Sequence, residues 1–195
     1  MFRKVVVFLV RIFLSIWFKV EVENVERFEK LKTSCIVAPN HQSAWDTVLV
    51  PAFSKRVMYM MAKAELFENK IFGALLKGLK AFPVKRGKGD ITAVKTAVSL
   101  LNQGQSICMF PEGTRNKGDK PIRFKTGASR IAITAKVPIL PVAIVSDFKF
   151  RGKVKIIYGE PIYFDECYDK TLTKEDFQKE TDRVQNAVEQ MIENA

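Results

Sequence analysis

The chain has 195 residues, 47% of them hydrophobic and 27% charged, enough for one domain with its own core and unlike either a disordered chain or a many-span membrane protein. Lys and Arg number 32 against 21 Asp and Glu, a net charge of +11, which favours an anionic partner: nucleic acid, a phospholipid surface or a phosphorylated substrate. One histidine, and three cysteines (Cys35, Cys108, Cys167) without CxxC spacing, argue against a His-based metal site and a disulfide framework and for a reducing compartment.

Residues 1–20 are strongly apolar, yet Lys4, Arg11, Ser15 and Lys19 fall within roughly 80° of arc on a helix of 3.6 residues per turn. The rest of the circumference carries Val5, Val6, Leu9, Ile12, Phe13, Ile16, Trp17 and Val20. One basic stripe beside a broad apolar face predicts an amphipathic helix lying in the membrane interface. A full span would place Arg11 at mid-bilayer, a costly position, and a buried core helix would not need large apolar residues around so much of its surface. Trp17-Phe18-Lys19 offers no small-residue cleavage site for a signal peptide.

Beyond residue 20, strands are expected at Ser34 to Ala38, Val57 to Met61, Ser106 to Phe110, Ile139 to Ile144 and Val154 to Tyr158. Helices are expected at Ala44 to Phe53, Ala64 to Lys80, Ile91 to Asn102, Ala128 to Lys136 and Lys174 to Glu193, the last capped by Thr173 with Asp176. This alternation predicts a single α/β domain over 21–195, its mixed, largely parallel sheet flanked by helices, with ligands outside the carboxyl ends of the strands.

Three segments carry candidate chemistry. Asn40-His41-Gln42-Ser43-Ala44-Trp45-Asp46 joins an expected strand to an expected helix. An imidazole there can take a proton from an attacking hydroxyl, and a carboxylate at Asp46 can fix its tautomer. Ser43 with Asp46 also reads as a plain capping box. Phe110-Pro111-Glu112-Gly113-Thr114-Arg115 follows another strand; Gly113 permits close approach, Thr114 and Arg115 suit a phosphate, and Glu112 would orient a neighbouring cation. Phe82 to Gly89 adds a cationic glycine-bearing loop that lacks P-loop spacing. With no GxSxG elbow and no HExxH, the hydroxyl activated by His41 belongs to a substrate.

In this order the segments resemble the glycerolipid acyltransferase family, most closely the bacterial 1-acylglycerol-3-phosphate acyltransferases, across roughly 35–145. NHQSAWD resembles the family's H-x4-D block, Phe82 to Arg86 its second, FPEGTR its third, and Val137 to Val142 its fourth; Ala62 to Leu66 and Phe124-Lys125-x-Gly127 resemble intervening features. The resemblance implies that His41 is a general base oriented by Asp46. It implies that Arg86 and Arg115 hold the acceptor's phosphate in a pocket shaped by Glu112, Gly113 and Thr114, and that Pro138 and Pro141 help form the acyl-chain region. It further implies acyl-CoA or acyl-carrier protein as donor, no other cofactor, lysophosphatidic acid as acceptor, and phosphatidic acid as product. Work at the cytoplasmic face of the cell membrane, peripheral or monotopic, and no nucleic-acid partner complete the expectation. Lys85 stands where the family commonly has an acidic residue. Glycerol 3-phosphate or another lysophospholipid is the alternative acceptor. A basic membrane- or nucleic-acid-binding protein without catalysis is the alternative class, but it accounts for neither His41-x4-Asp46 nor the Glu112-to-Arg115 turn.

Overall fold

The computed structural model describes residues 2–85, 90–116, 118 and 121–195. Among these, seven strands form one sheet: β1 (Lys19–Glu23), β2 (Ile36–Pro39), β3 (Met58–Lys63), β4 (Ala81–Val84), β5 (Ser106–Cys108), β6 (Ile139–Ser146) and β7 (Lys153–Tyr158). Their order is β1-β7-β6-β2-β5-β3-β4; β6 and β7 run antiparallel and every other neighbouring pair runs parallel. The mixed, largely parallel α/β architecture read from the alternation is the one observed.

The helices are α1 (Phe2–Trp17), α2 (Glu26–Glu29), α3 (Asp46–Ala52), α4 (Lys70–Gly78), α5 (Ile91–Asn102), α6 (Gly127–Ala135) and α7 (Lys174–Glu193). The central strands bury both faces, and the period-2 alternation of a strand divides the core in two. Ile139 and Ala143 of β6 join Leu101 of α5, Ile131 of α6 and Val184 of α7 on one side. Leu140, Val142 and Ile144 join Leu14 of α1, Phe28 of α2 and Leu49 of α3 on the other. The capping box of Thr173 and Asp176 forms at the start of α7.

Three elements differ from the sequence reading. β1 replaces the expected helical continuation to Val20: the helix stops at Trp17, Phe18 is buried, and Lys19–Glu23 pairs with β7. β4 occupies what reads as a loop. As an edge strand it pairs with β3 alone, so the missing N–H of Pro83 is tolerated there. The helix expected over 64–80 divides into a 3-10 turn (Ala64–Phe67) and α4, because the Asn69 side chain accepts the N–H groups of Ile71 (3.1 Å) and Phe72 (3.0 Å) and starts a new helix.

Sixteen residues in α1 span about 24 Å at 1.5 Å per residue, short of the roughly 30 Å hydrocarbon core; among the described residues no helix is long and apolar enough to cross a membrane. One edge of α1 packs on the domain through Leu14 and, less completely, Val10. The basic stripe is split: Lys4 and Ser15 are exposed, Lys19 lies in β1, and Arg11 turns inward. Arg11 Nε donates to the Ala52 carbonyl at 2.6 Å, and its guanidinium lies over the Phe53 ring, a cation at the carbonyl end of α3. The apolar face is broader than one core contact needs: Phe2, Phe8, Leu9 and Ile16 are each more than half exposed.

Candidate active site

Because β2 and β5 are parallel neighbours, the residues after each strand emerge at one edge of the sheet, where open α/β folds hold their ligands. Asn40 holds the first of these turns. Its amide donates to the Ile144 carbonyl (2.9 Å) and accepts the Ile144 N–H (2.7 Å), so a side chain continues the β2–β6 pairing past the last strand residue.

The His41 ring is buried, with Nδ1 3.0 Å from Oδ2 of the fully buried Asp46. The same oxygen accepts the N–H groups of Gln42 (2.8 Å) and Ser43 (2.7 Å). An ionised carboxylate can only accept, so this contact suits the tautomer with its proton on Nδ1. The capping-box reading is met in a variant form: the Ser43 N–H donates to Asp46 Oδ2 (2.7 Å), and the Ser43 Oγ accepts the N–H of Trp45 (3.3 Å) rather than that of Asp46, so one carboxylate serves both the turn before α3 and the imidazole. Phe110 stacks on the imidazole, ring centroids 4.0 Å apart and planes 22° from parallel.

In the second turn, Gly113 adopts φ of +71°, a left-handed conformation that favours glycine, and its N–H donates to the Phe110 carbonyl (3.0 Å). A Cβ there would lie 2.8 Å from Lys125 Nζ: a lysine ammonium closes over this turn, and Thr114 and Arg115 beside it are exposed. Glu112 behaves otherwise. It is buried, and its Oε1 accepts the main-chain N–H of His41 at 2.8 Å, so it binds the neighbouring turn rather than a cation. Burial pushes its carboxyl up to about 7, with the His41 N–H opposing the shift and the Asp46 charge adding to it.

His41 and Phe110 form part of the wall of an apolar cavity of about 330 Å³. Val6, Val7 and Val10 of α1 face Val48 and Pro51 of α3 and Leu76 of α4 across it. Pro138 and Pro141 are buried at β6 and are not among the residues lining this cavity; the Pro138 carbonyl accepts the Ile36 N–H (3.1 Å) and the Pro141 carbonyl that of Gly159 (2.9 Å). Arg86 lies outside the described residues. Sequence reasoning passed over Asn40, Phe110 and Lys125 as individual residues, though each sits in a quoted motif, and the valines of α1 carried no local sign of lining a cavity. Among the described residues no group of three or more His, Cys, Asp or Glu is arranged to hold a metal ion.

The chain belongs to the acyltransferase family, whose model matches residues 19–145. Within that family it is similar to the 1-acyl-sn-glycerol-3-phosphate acyltransferase of Bacillus subtilis, 36% identical over 162 residues covering 78% of each chain. The corresponding Streptococcus pneumoniae enzyme is 29% identical over 87% of this chain and 65% of its own length. The crystal structure of the lysophosphatidic acid acyltransferase PlsC of Thermotoga maritima superposes with a TM-score of 0.76 at 26% identity, covering 98% of this chain and 80% of that one.

Proposed function

We propose that the protein transfers a fatty acyl group from acyl-CoA or acyl-carrier protein to the sn-2 hydroxyl of 1-acylglycerol 3-phosphate, forming phosphatidic acid for phospholipid biosynthesis. The observation that carries the reading is a buried imidazole, Nδ1 held by a carboxylate at 3.0 Å, in the wall of an apolar cavity, with the exposed Arg115 next in sequence to Asn116, whose N–H reaches the His41 carbonyl. His41 Nε2 removes the hydroxyl proton as the oxygen attacks the thioester carbonyl; the Asp46 carboxylate stabilises the imidazolium that forms. The tetrahedral intermediate collapses with rupture of the C–S bond, and the leaving thiolate takes the proton back from His41. A thiol of pKa about 8.5 leaves with little acid assistance, so base, position and oxyanion stabilisation carry the catalysis.

The cavity beside His41 suits an acyl chain, and Arg115 suits the acceptor phosphate, with Lys125 as a second cation and Gly113 and Thr114 shaping the turn. Arg86 is proposed as a further phosphate ligand on the family resemblance. Replacing Arg115 by alanine is expected to raise the acceptor KM about ten- to a hundredfold, the loss of one charge-assisted bond, with the donor KM unchanged in initial-rate measurements. Turnover of 1-acylglycerol 3-phosphate against glycerol 3-phosphate tests the acceptor: preference for the lysolipid is expected, and preference for glycerol 3-phosphate would overturn it.

The exposed face of α1 is proposed to lie in the headgroup region at the cytoplasmic face of the membrane. Trp17 and Phe13 of α1 pack within 6.2 Å, centroid to centroid, of Trp45, the residue before Asp46, so α1 would hold the His41 turn against the bilayer. Because Val6, Val7 and Val10 also wall the cavity and Lys19 and Val20 belong to the sheet, deleting residues 1–20 would damage more than anchoring. Leu9→Asp with Ile16→Asp alters only exposed positions. This pair is expected to weaken sedimentation with anionic vesicles about a hundredfold while leaving the unfolding temperature unchanged; undiminished vesicle binding would place the anchor elsewhere.

A further inference from the structure

We propose that Glu112 is a positioning residue for His41 and not a ligand of the acceptor; the inference rests on the reading of His41 as the base. His41 lies beyond the last residue of β2 and before α3, so neither a sheet ladder nor a helix fixes its main chain. Both of its peptide groups are held instead by one distant loop. Its N–H donates to Glu112 Oε1 (2.8 Å), and its carbonyl accepts the N–H of Asn116 (2.7 Å). The ring itself is stacked on Phe110 at the start of that loop. Backbone and imidazole are thus gripped at three points by residues 110–116, the stretch that also presents Arg115.

Three observations separate this role from contact with the acceptor. Glu112 is 3% exposed. It is absent from the lining of the cavity that holds His41. The crevice it does line is shared, among the described residues, with Glu189 and Glu193 of α7, carboxylates that repel a phosphate. What Glu112 supplies to His41 is one acceptor oxygen for a peptide N–H. A neutral amide has the same oxygen, so glutamine should serve and alanine should not.

The test compares Glu112→Ala and Glu112→Gln in the full chain. It reads kcat, the acceptor KM and the imidazole proton resonances of the single histidine. Glu112→Ala is expected to lower kcat about a hundredfold, the effect of displacing a catalytic group by about an ångström, while the acceptor KM changes less than about threefold. Its imidazole resonances should shift or broaden. Glu112→Gln is expected to keep kcat and acceptor KM within about threefold of wild type, with wild-type imidazole resonances. A raised acceptor KM at intact kcat in either variant would overturn the proposal in favour of an acceptor ligand. If the alanine variant does not fold, the glutamine variant decides alone: loss of its kcat or a rise in its acceptor KM overturns the proposal. Failure of the base reading is seen separately, as wild-type turnover in His41→Ala, so the two failures cannot be confused.

Discussion

His41→Ala is expected to lower kcat by about a thousandfold, within the range of roughly 10² to 10⁴ that a positioned general base contributes, with the acceptor KM little changed. The reason lies in the division of labour at this residue. Its main-chain N–H and carbonyl bind Glu112 and Asn116, and neither bond needs the imidazole, so the turn should persist when the ring is removed. What is lost is the proton acceptor, together with the stacking on Phe110. Truncating a buried ring leaves a hole costing on the order of 2 kcal/mol, so thermal unfolding should show a lower but still cooperative transition, and vesicle binding should be unaffected. Turnover at the wild-type rate would remove His41 from the chemistry.

The second large effect is expected at Asp46. Its Oδ2 accepts the His41 Nδ1–H and the N–H groups of Gln42 and Ser43. Asp46→Asn keeps the volume but replaces one oxygen by an amide that donates. The three donors converge on one oxygen, so an amide oxygen placed there can keep all three bonds, and the amide nitrogen then takes the buried Oδ1 position, where no hydrogen-bond partner is seen among the described residues. What the substitution removes is the negative charge that stabilises the imidazolium formed when His41 takes the hydroxyl proton. We expect kcat to fall by about 10² to 10⁴, and the changed surroundings of the ring to appear in the nitrogen chemical shifts of the one histidine. Asp46→Ala should be worse folded, because it removes the acceptor of one buried donor, at about 1–3 kcal/mol, and of two part-buried main-chain donors that water can partly serve. An asparagine variant with wild-type kcat would reduce Asp46 to a structural staple of the turn.

The parts of this molecule that could be read in the sequence are those whose causes are local. The strand-to-turn transitions expected after Ala38 and Phe110 are marked by short apolar runs that give way to polar residues, and they led directly to His41 and to the Glu112-to-Arg115 turn, although the strands themselves end at Pro39 and Cys108. The capping box of α7 lies within four residues of chain. β1 was hidden because Lys-Val-Glu-Val-Glu reads as a charged surface segment after an apolar helix. Its acids find partners on β7, where Lys153 pairs with Glu21 and Lys155 with Glu23, each at 3.0 Å. Charged residues of this kind are how an edge strand protects itself. Arg11 looked like part of a headgroup-facing stripe because its partner, the Ala52 carbonyl, belongs to a helix forty residues away. The cavity was illegible for the same reason: its walls are α1, α3, β3 and α4, each with an ordinary apolar face, and only packing turns four such faces toward His41. Glu112 is the instructive case. A glutamate beside an arginine suggested an ion pair, but the bond it makes is to a peptide N–H brought alongside by the parallel pairing of β2 and β5.

The account stands most directly on product formation. The purified 195-residue chain would be given vesicles carrying 1-acylglycerol 3-phosphate and either acyl-CoA or acyl-carrier protein, with phosphatidic acid followed by mass spectrometry. Phosphatidic acid should accumulate with at least one donor in the wild-type protein and fall to the uncatalysed level in His41→Ala. Folded wild-type protein that forms none with either donor, or His41→Ala protein that forms it at the wild-type rate, would contradict the account.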